Sequence, residues 1–311
     1  MRKIRIGTRG SKLALWQAEW VKERIEKQTP QVKVELVIIK TLGDKILDVA
    51  LAKVGGKGLF VKEIEEALLD QRIDIAVHSM KDVPTKLADT LHIAAITERE
   101  DPRDVMISNR WKRLDELPFE AKVGTSSLRR QAQLLHVRPD LKMTVLRGNL
   151  DTRLRKLSEE GLDAIIVAAA GVIRLGLQQK ITQYLDFDLC LPAMGQGTLA
   201  LECRQEDNDI NEILKPLNAP YVSMTVRAER AFLEKLEGGC QVPIGIYGEI
   251  RNGALLLKGL IASIDGKKLV SDEISGDPKD PESVGKKLAE RLLNSGGKAI
   301  LKEIYGSLSK D

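Results

Sequence analysis

The sequence predicts an α/β protein of two lobes joined by a double crossover, followed by a smaller α+β domain with a three-stranded antiparallel sheet. Three observations carry this reading. Short apolar runs alternate with amphipathic helical stretches through most of the chain, which is the grammar of sheets covered by helices. The charged stretch ERED followed by PRD (residues 98–104) interrupts the alternation and reads as a linker, and the run LPAMGQGTLALEC (191–203) returns to it. Beyond Ala219 the strands are separated instead by the hairpin signals Asn252-Gly253 and Asp265-Gly266. At 311 residues the chain is also long for one hydrophobic core. The expected domains are residues 1–98 with 198–216, then 103–191, then 220–311.

Taken in order, residues 4–6 read as a strand, and Ser11 opens a helix carrying Leu13, Leu15, Trp16 and Trp20. A strand is expected over 34–39 and a helix over 61–69. IDIAVHS (73–79) and LHIAAIT (91–97) follow as buried strands. The second lobe is expected from VMIS (105–108), KVGTSS before the helix LRRQAQLL, MTVLR (143–147) before the helix DTRLRKLSEEG, and the strand AIIVAAAG (164–171). LPAMGQGTLALEC then crosses back to complete the first lobe. In the third domain the helix TVRAERAFLEKLE precedes VPIGIYGEI, ALLLKGLIAS and KLVSDEIS, and a helix over 284–293 ends ahead of Gly296-Gly297.

Composition narrows the function. Hydrophobic residues make up 43%, charged residues 30% and aromatic residues 4%, with a net charge of +4. Nucleic acid is an unfavourable partner at that modest charge with so few aromatics. No window approaches the roughly 18 consecutive apolar residues of a membrane span, and MRKIRIG leads straight into a strand, so a cytoplasmic protein is expected. Cys190, Cys203 and Cys240 are too widely spaced for a disulfide framework or a zinc pattern. His78, His92 and His136 have no metal-ligand spacing, and no metal is expected; His78 and His92, in apolar strands, read as structural. GGKGLF (55–60) lacks the hydroxyl residue of a nucleotide phosphate loop.

Ligands of open α/β sheets gather beyond the carboxyl ends of strands. Arg9 follows the first strand, Lys81 and Asp82 follow IDIAVHS, and Arg129 and Arg130 open the helix after KVGTSS. Arg147 ends MTVLR, Arg153 lies in the next helix and Arg174 follows AIIVAAAG. Thr125, Ser126 and Ser127 add hydroxyls at a helix start, where anions bind readily. Arginines so placed favour carboxylates or phosphates. Any one of them could be a solvated surface group, but the set predicts a polycarboxylate site. Asp82, at a strand end among cations, is placed to stabilise a developing positive charge. The glycine-bearing loop with Lys53, Gly55, Gly56, Lys57 and Phe60 is read as a lid. Cys240, lifted on Gly238-Gly239, is either a thiol used in chemistry or a buried structural cysteine.

VHSMKDVPT, EREDPRD, VGTSSLRRQAQL, LRGNLDTRL, LPAMGQG and LEGGCQVPIG together resemble the porphobilinogen deaminase (hydroxymethylbilane synthase) family along essentially the whole chain. The resemblance implies two periplasmic-binding-protein-like lobes and a transferase of haem-type tetrapyrrole biosynthesis. It joins four porphobilinogen molecules head to tail with loss of ammonia, then releases 1-hydroxymethylbilane. It also implies a dipyrromethane cofactor, made from substrate and held by a thioether to Cys240. Asp82 becomes the catalytic residue. Arg9, Lys81, Thr125, Ser126, Ser127, Arg129, Arg130, Arg147, Arg153 and Arg174 become the ligands of the cofactor and substrate carboxylates. A monomer is implied. Two rival readings are a two-lobed receptor for a polycarboxylate anion, which leaves Cys240 and the third domain unexplained, and a basic RNA-binding protein, which the charge and aromatic content disfavour.

Overall fold

The computed structural model describes residues 2–45, 61–237 and 242–308. Among the described residues the chain divides into two compact units, one built from residues up to 45, 61–100 and 197–223, the other from 101–196 and the residues from 224 on.

The first unit holds β1 (Arg2–Thr8), α1 (Lys12–Gln28), β2 (Val32–Ile38), α2 (Leu42–Lys45), α3 (Lys62–Leu69), β3 (Ile75–Ser79) and β4 (Leu91–Ile96). The second begins with β5 (Asp104–Ile107), β6 (Lys122–Gly124), α4 (Leu128–Val137), β7 (Lys142–Thr144), α5 (Leu150–Glu159), β8 (Ala164–Ala168), α6 (Ala169–Arg174) and β9 (Gln183–Leu185). The chain then supplies β10 (Leu199–Arg204) and α7 (Asn208–Leu214) to the first unit. The second unit is completed by α8 (Pro220–Lys235), whose first residues belong to the first unit, β11 (Ile244–Arg251), β12 (Ala254–Ala262), β13 (Leu269–Gly276), α9 (Pro281–Leu292) and α10 (Lys298–Leu308).

The first sheet has the order β2-β1-β3-β10-β4 and the second β7-β6-β8-β5-β9. In the first, β1 pairs parallel to β2 and β3, whereas β10 runs antiparallel between β3 and β4. In the second, β6 pairs parallel to β7 and β8, and β5 runs antiparallel between β8 and β9. The two sheets therefore share one topology. In each, the antiparallel strand is the first strand supplied after the chain crosses over.

Both faces of each sheet are covered, so the strands alternate between two buried sides. Ala164 and Ile166 of β8 enter one core with Met106, Val123 and Leu134, while Ile165 and Val167 enter another with Leu146 and Leu157. In the first unit α1 buries Ala18, Val21 and Ile25 against Ile4, Ile6 and Leu201, and α3 buries Ile64, Ala67 and Leu68 on the other side with Ile73 and Ala76. The Ser11 hydroxyl caps α1 by accepting from the Ala14 N–H at 3.3 Å, a contact worth about 1 kcal/mol.

The third sheet is the meander β11-β12-β13. Its first turn has Asn252 at φ 51° and Gly253 at φ 78°, the pair of positive dihedrals that a tight hairpin requires. One face packs on the second lobe, where Leu260 and Ala262 meet Ala132 and Leu191 and the Phe187 and Tyr247 rings stack at 4.2 Å between centroids. The other is covered by α8 and α9, with Phe232 fully buried.

Several expected bounds shift. AIIVAAAG is strand only to Ala168, and Ala169 starts α6. MTVLR is strand only to Thr144. The chain does not end its helices before Gly296-Gly297: Gly296 takes φ +110° inside a wide turn and α10 continues beyond it.

Helices α8 and α9 approach so closely that a Cβ on Gly285 would overlap the carbonyl oxygen of Ala228. Gly285→Ala is expected to cost about 1–3 kcal/mol of stability, because backbone rather than a side chain must give way. Chemical denaturation of the variant beside the parent measures this.

Candidate functional site

In the first unit, β1 and β3 are parallel neighbours, so Arg9 and the Lys81-Asp82 pair emerge at the same edge of the sheet. A single 3-10 turn (Met80–Asp82) carries the pair. Buried anchors fix it on both sides: Met80, whose N–H donates to Thr198 O at 3.1 Å, and Val83, whose N–H donates back to Met80 O at 3.1 Å. Asp82 itself is exposed. A carboxylate on a tethered turn is positioned yet remains accessible. Beside it, the Gln17 amide donates to the Ser79 hydroxyl at 3.0 Å.

The histidines in this unit are structural, as their strands suggest. His78 Nε2 lies 3.0 Å from Glu202 Oε2, both buried. Burial, reinforced by the charge of Glu202 and opposed by His78, pushes the Glu65 carboxyl above its usual range. His92 Nε2 lies 2.7 Å from Asn211 Oδ1 and 3.6 Å from Cys203 Sγ. That trio has the residue types of a cysteine hydrolase, but Cys203 is fully buried, and that burial, aided by Asp207, pushes the thiol up to about 12, away from the exposed thiolate that nucleophilic attack needs. Among the described residues no group of three or more acidic, histidine or cysteine side chains could hold a metal ion.

The second unit gathers the larger set. Beyond β6 the Thr125-Ser126-Ser127 loop leads into α4, beyond β7 Arg147 leads towards α5, and β8 runs directly into α6. These three strands are parallel neighbours, so the helix starts share one edge. The loop spends much of its polarity on itself. Thr125 Oγ1 accepts from Ser127 N at 3.2 Å, Ser126 donates its hydroxyl to Leu146 O, and the Ser127 hydroxyl caps α4 by accepting from Arg130 N at 3.4 Å. Arg153, in the first turn of α5, donates from Nε to Gly148 O at 2.8 Å. Arg174 stands at the last residue of α6. Arg147 is half-buried, and its Nε is buried without a hydrogen-bond partner among the described residues.

Arg129 and Arg130 are each only 5% exposed, which sequence reasoning did not foresee. They close on a residue it placed in a linker. Asp104, fully buried, accepts from Arg129 Nη1 through Oδ2 and from Arg130 Nη2 through Oδ1, each at 2.7 Å. Burial by itself would raise the Asp104 carboxyl; the two guanidinium groups outweigh it and hold it well below the usual carboxylate range. Arg129 Nη1 also donates to Leu191 O, and Arg130 Nη1 donates to Ile166 O at 3.1 Å. Arg130 Nε is buried and without a partner among the described residues. Asp104 and Gln196 lie in EREDPRD and LPAMGQG, two of the segments that carry the family resemblance, but nothing local in either segment marks them as a buried pair.

Cys240 and the lid residues Lys53, Gly55, Gly56, Lys57 and Phe60 lie outside the described residues.

Comparison with known proteins bears on the whole chain. The family profile described as "Porphobilinogen deaminase, dipyromethane cofactor binding domain" matches residues 4–212, and "Porphobilinogen deaminase, C-terminal domain" matches 223–294. The chain belongs to the porphobilinogen deaminase family. It is 59% identical over 304 residues to the porphobilinogen deaminase of Pelobacter propionicus, covering 98% of each chain. It is 58% identical over 305 residues to that of Geobacter sulfurreducens, covering 98% of this chain and 96% of the relative. Among solved structures it is similar to the methionine binding protein MetQ, with TM-score 0.45 and 17% identity over 68% of this chain and 87% of that one.

The cofactor of porphobilinogen deaminases is a dipyrromethane, and the residues of the second unit fit such a group. Its side chains are carboxylates, and the carboxyl edge of β6, β7 and β8 offers arginines, two of them with an unsatisfied buried N–H, beside the N-terminus of the ten-residue helix α4.

The ion pairs also set a pH dependence. Asp74, held by Arg5 through bonds of 2.8 Å and 3.1 Å, and Asp104 both have folded-state values below the ordinary 3.8. Below that value the unfolded chain binds protons that the folded chain refuses, so their contribution is present above about pH 4 and is lost as the pH falls further. These two pairs are expected to make the thermal midpoint drop as the pH falls below about 4. Asp74→Asn should make that acid limb shallower while lowering the neutral-pH midpoint, which thermal scans across pH will measure.

Proposed function

We propose that Asp82, Cys240 and the arginines at the strand ends carry the activity of a hydroxymethylbilane synthase. Four porphobilinogen units are joined head to tail, one carbon–carbon bond forming and one ammonia leaving at each step, and water then breaks the bond to the primer and supplies the hydroxyl of the released 1-hydroxymethylbilane. The observation that carries the assignment of residues is the arginine-rich carboxyl edge of β6, β7 and β8, whose buried, unsatisfied guanidinium N–H groups suit a ligand that accumulates carboxylates. Membership of the family supports it.

When bound, the dipyrromethane supplies the nucleophilic pyrrole carbon from which the chain grows. Cys240 holds it through a thioether. Arg129, Arg130, Arg147, Arg153 and Arg174, with Arg9 and Lys81, bind acetate and propionate groups. Each charge-assisted bond contributes about 1.5 to 3 kcal/mol. Thr125, Ser126 and Ser127 act through the loop they build, which aims the positive end of α4 at an anion.

Asp82 handles the opposite charge. Loss of ammonia from porphobilinogen leaves a cationic azafulvene, and a carboxylate about 4 Å away stabilises a cation by ~4 kcal/mol at an effective dielectric near 20. Spent only on the transition state, that is roughly a thousandfold in rate. The protein acts as a cytoplasmic monomer in this reading, with porphobilinogen as its partner and no role for nucleic acid. A polycarboxylate receptor is not favoured, because the family match extends through the third domain.

Intact mass of the purified protein is expected to exceed the sequence mass by two deaminated pyrrole units, and Cys240→Ser to lack the increment; an equal mass for both would remove Cys240 from the assignment. Asp82→Asn is expected to lower turnover by about 100-fold or more while keeping the increment. Turnover within a fewfold of the parent would move the catalytic role elsewhere.

A further inference from the structure

The mechanism above uses Arg129 and Arg130 but leaves unexplained the residue that holds them. Asp104 is the first residue of β5, paired to Ala168 of β8 on one side and Leu185 of β9 on the other, so its backbone is fixed by the sheet. Each of its oxygens takes a different arginine. Two neutral amides steady the arrangement. Gln196 Nε2 donates to Asp104 Oδ1 at 2.9 Å and to Pro102 O at 2.7 Å. The Gln133 amide donates at 3.1 Å to Leu191 O, the same carbonyl that Arg129 uses, and accepts from Leu191 N at 2.7 Å.

Charge and donor accounting show what this leaves for a ligand. Two guanidinium groups face one carboxylate, so the buried cluster keeps one net positive charge. Arg130 gives Nη2 to Asp104 and Nη1 to Ile166 O, which leaves the buried Nε as its unsatisfied position among the described residues. A buried donor without a partner is costly, and a carboxylate is the acceptor that would satisfy both the N–H and the charge.

We propose that Asp104 is a positioning residue for the known reaction: it fixes the orientation of Arg129 and Arg130 and halves their charge, so that the pair receives one carboxylate of the pyrrole chain rather than two. Gln196 supports it by orienting Oδ1. The inference rests on the reading that this pair binds carboxylates. If Asp104 merely fastened α4 to β5, its loss would lower stability without acting on catalysis through the arginines.

A double-mutant cycle on the holoenzyme separates these cases, with kcat/KM for porphobilinogen, thermal midpoint and intact mass measured for Asp104→Asn, Arg130→Gln and the double variant. Each single change is expected to lower kcat/KM by about tenfold or more, and Asp104→Asn to add no more than about twofold to Arg130→Gln. Fully multiplicative losses would overturn the positioning role while leaving the carboxylate reading intact. An unchanged kcat/KM in Arg130→Gln would overturn the carboxylate reading and the positioning role with it. Should Asp104→Asn fail to fold, Gln196→Leu decides, because it leaves all three charged residues in place and removes the amide that donates to Asp104 Oδ1 and Pro102 O. A drop in kcat/KM of about threefold with unchanged midpoint and cofactor mass supports the role, and parental kinetics overturn it.

Discussion

A carboxylate taken wholly out of water must be matched by cations, and Asp104 is matched by two. Such a site is expensive to assemble, since three charges lose their hydration, and removing one partner of a buried pair typically costs about 3–5 kcal/mol. Hydrophobic side chains of similar volume would often serve stability equally well. The arrangement makes sense for what it leaves unfinished. It keeps one positive charge and one unsatisfied guanidinium N–H buried at the strand ends, held to bonds of 2.7 Å from a strand rather than a loop. The Ser127 cap that starts α4 and the amides of Gln133 and Gln196 support that arrangement.

The candidate residues of the two units are held differently. In the second unit the cations are embedded, where a low dielectric strengthens their hold on carboxylates. In the first, Asp82 is exposed, on a turn pinned by the buried Met80 and Val83. In the role proposed for Asp82, a fixed backbone and an accessible side chain let a carboxylate follow changing charge, whereas the proposed carboxylate ligands benefit from being immobile.

Much of this was legible in the sequence because local rules wrote it. Ser11 and Ser127 announced their helices and Asn252-Gly253 its hairpin, while of the arginines Arg9, Arg129, Arg130 and Arg147 fall just beyond strands and Arg174 stands instead at the far end of α6. The linker reading of residues 98–104 failed at Asp104 because an acid's burial depends on partners 25 and 26 residues away, which no local pattern reports. Arg129 and Arg130 were read as carboxylate ligands, each with a solvated surface group as its alternative, and their burial against Asp104 was missed for the same reason. The strand reading of AIIVAAAG ran past Ala168 since small apolar residues suit either element. Gly296-Gly297 looked like a stop, yet a glycine at positive φ can also turn one helix into the next.

The shared topology of the two lobes has a consequence for how the chain comes together. Strand β10 fills the gap between β3 and β4, and it is made only after the whole of the second lobe's sheet. As the polypeptide leaves the ribosome, the N-terminal lobe therefore waits with two unpaired strand edges for about a hundred residues, a long-range closure that is slow and exposes pairing surface. The second lobe receives its own antiparallel strand, β5, before any other of its strands. It can complete its sheet first, so the order of synthesis and the order of completion are reversed.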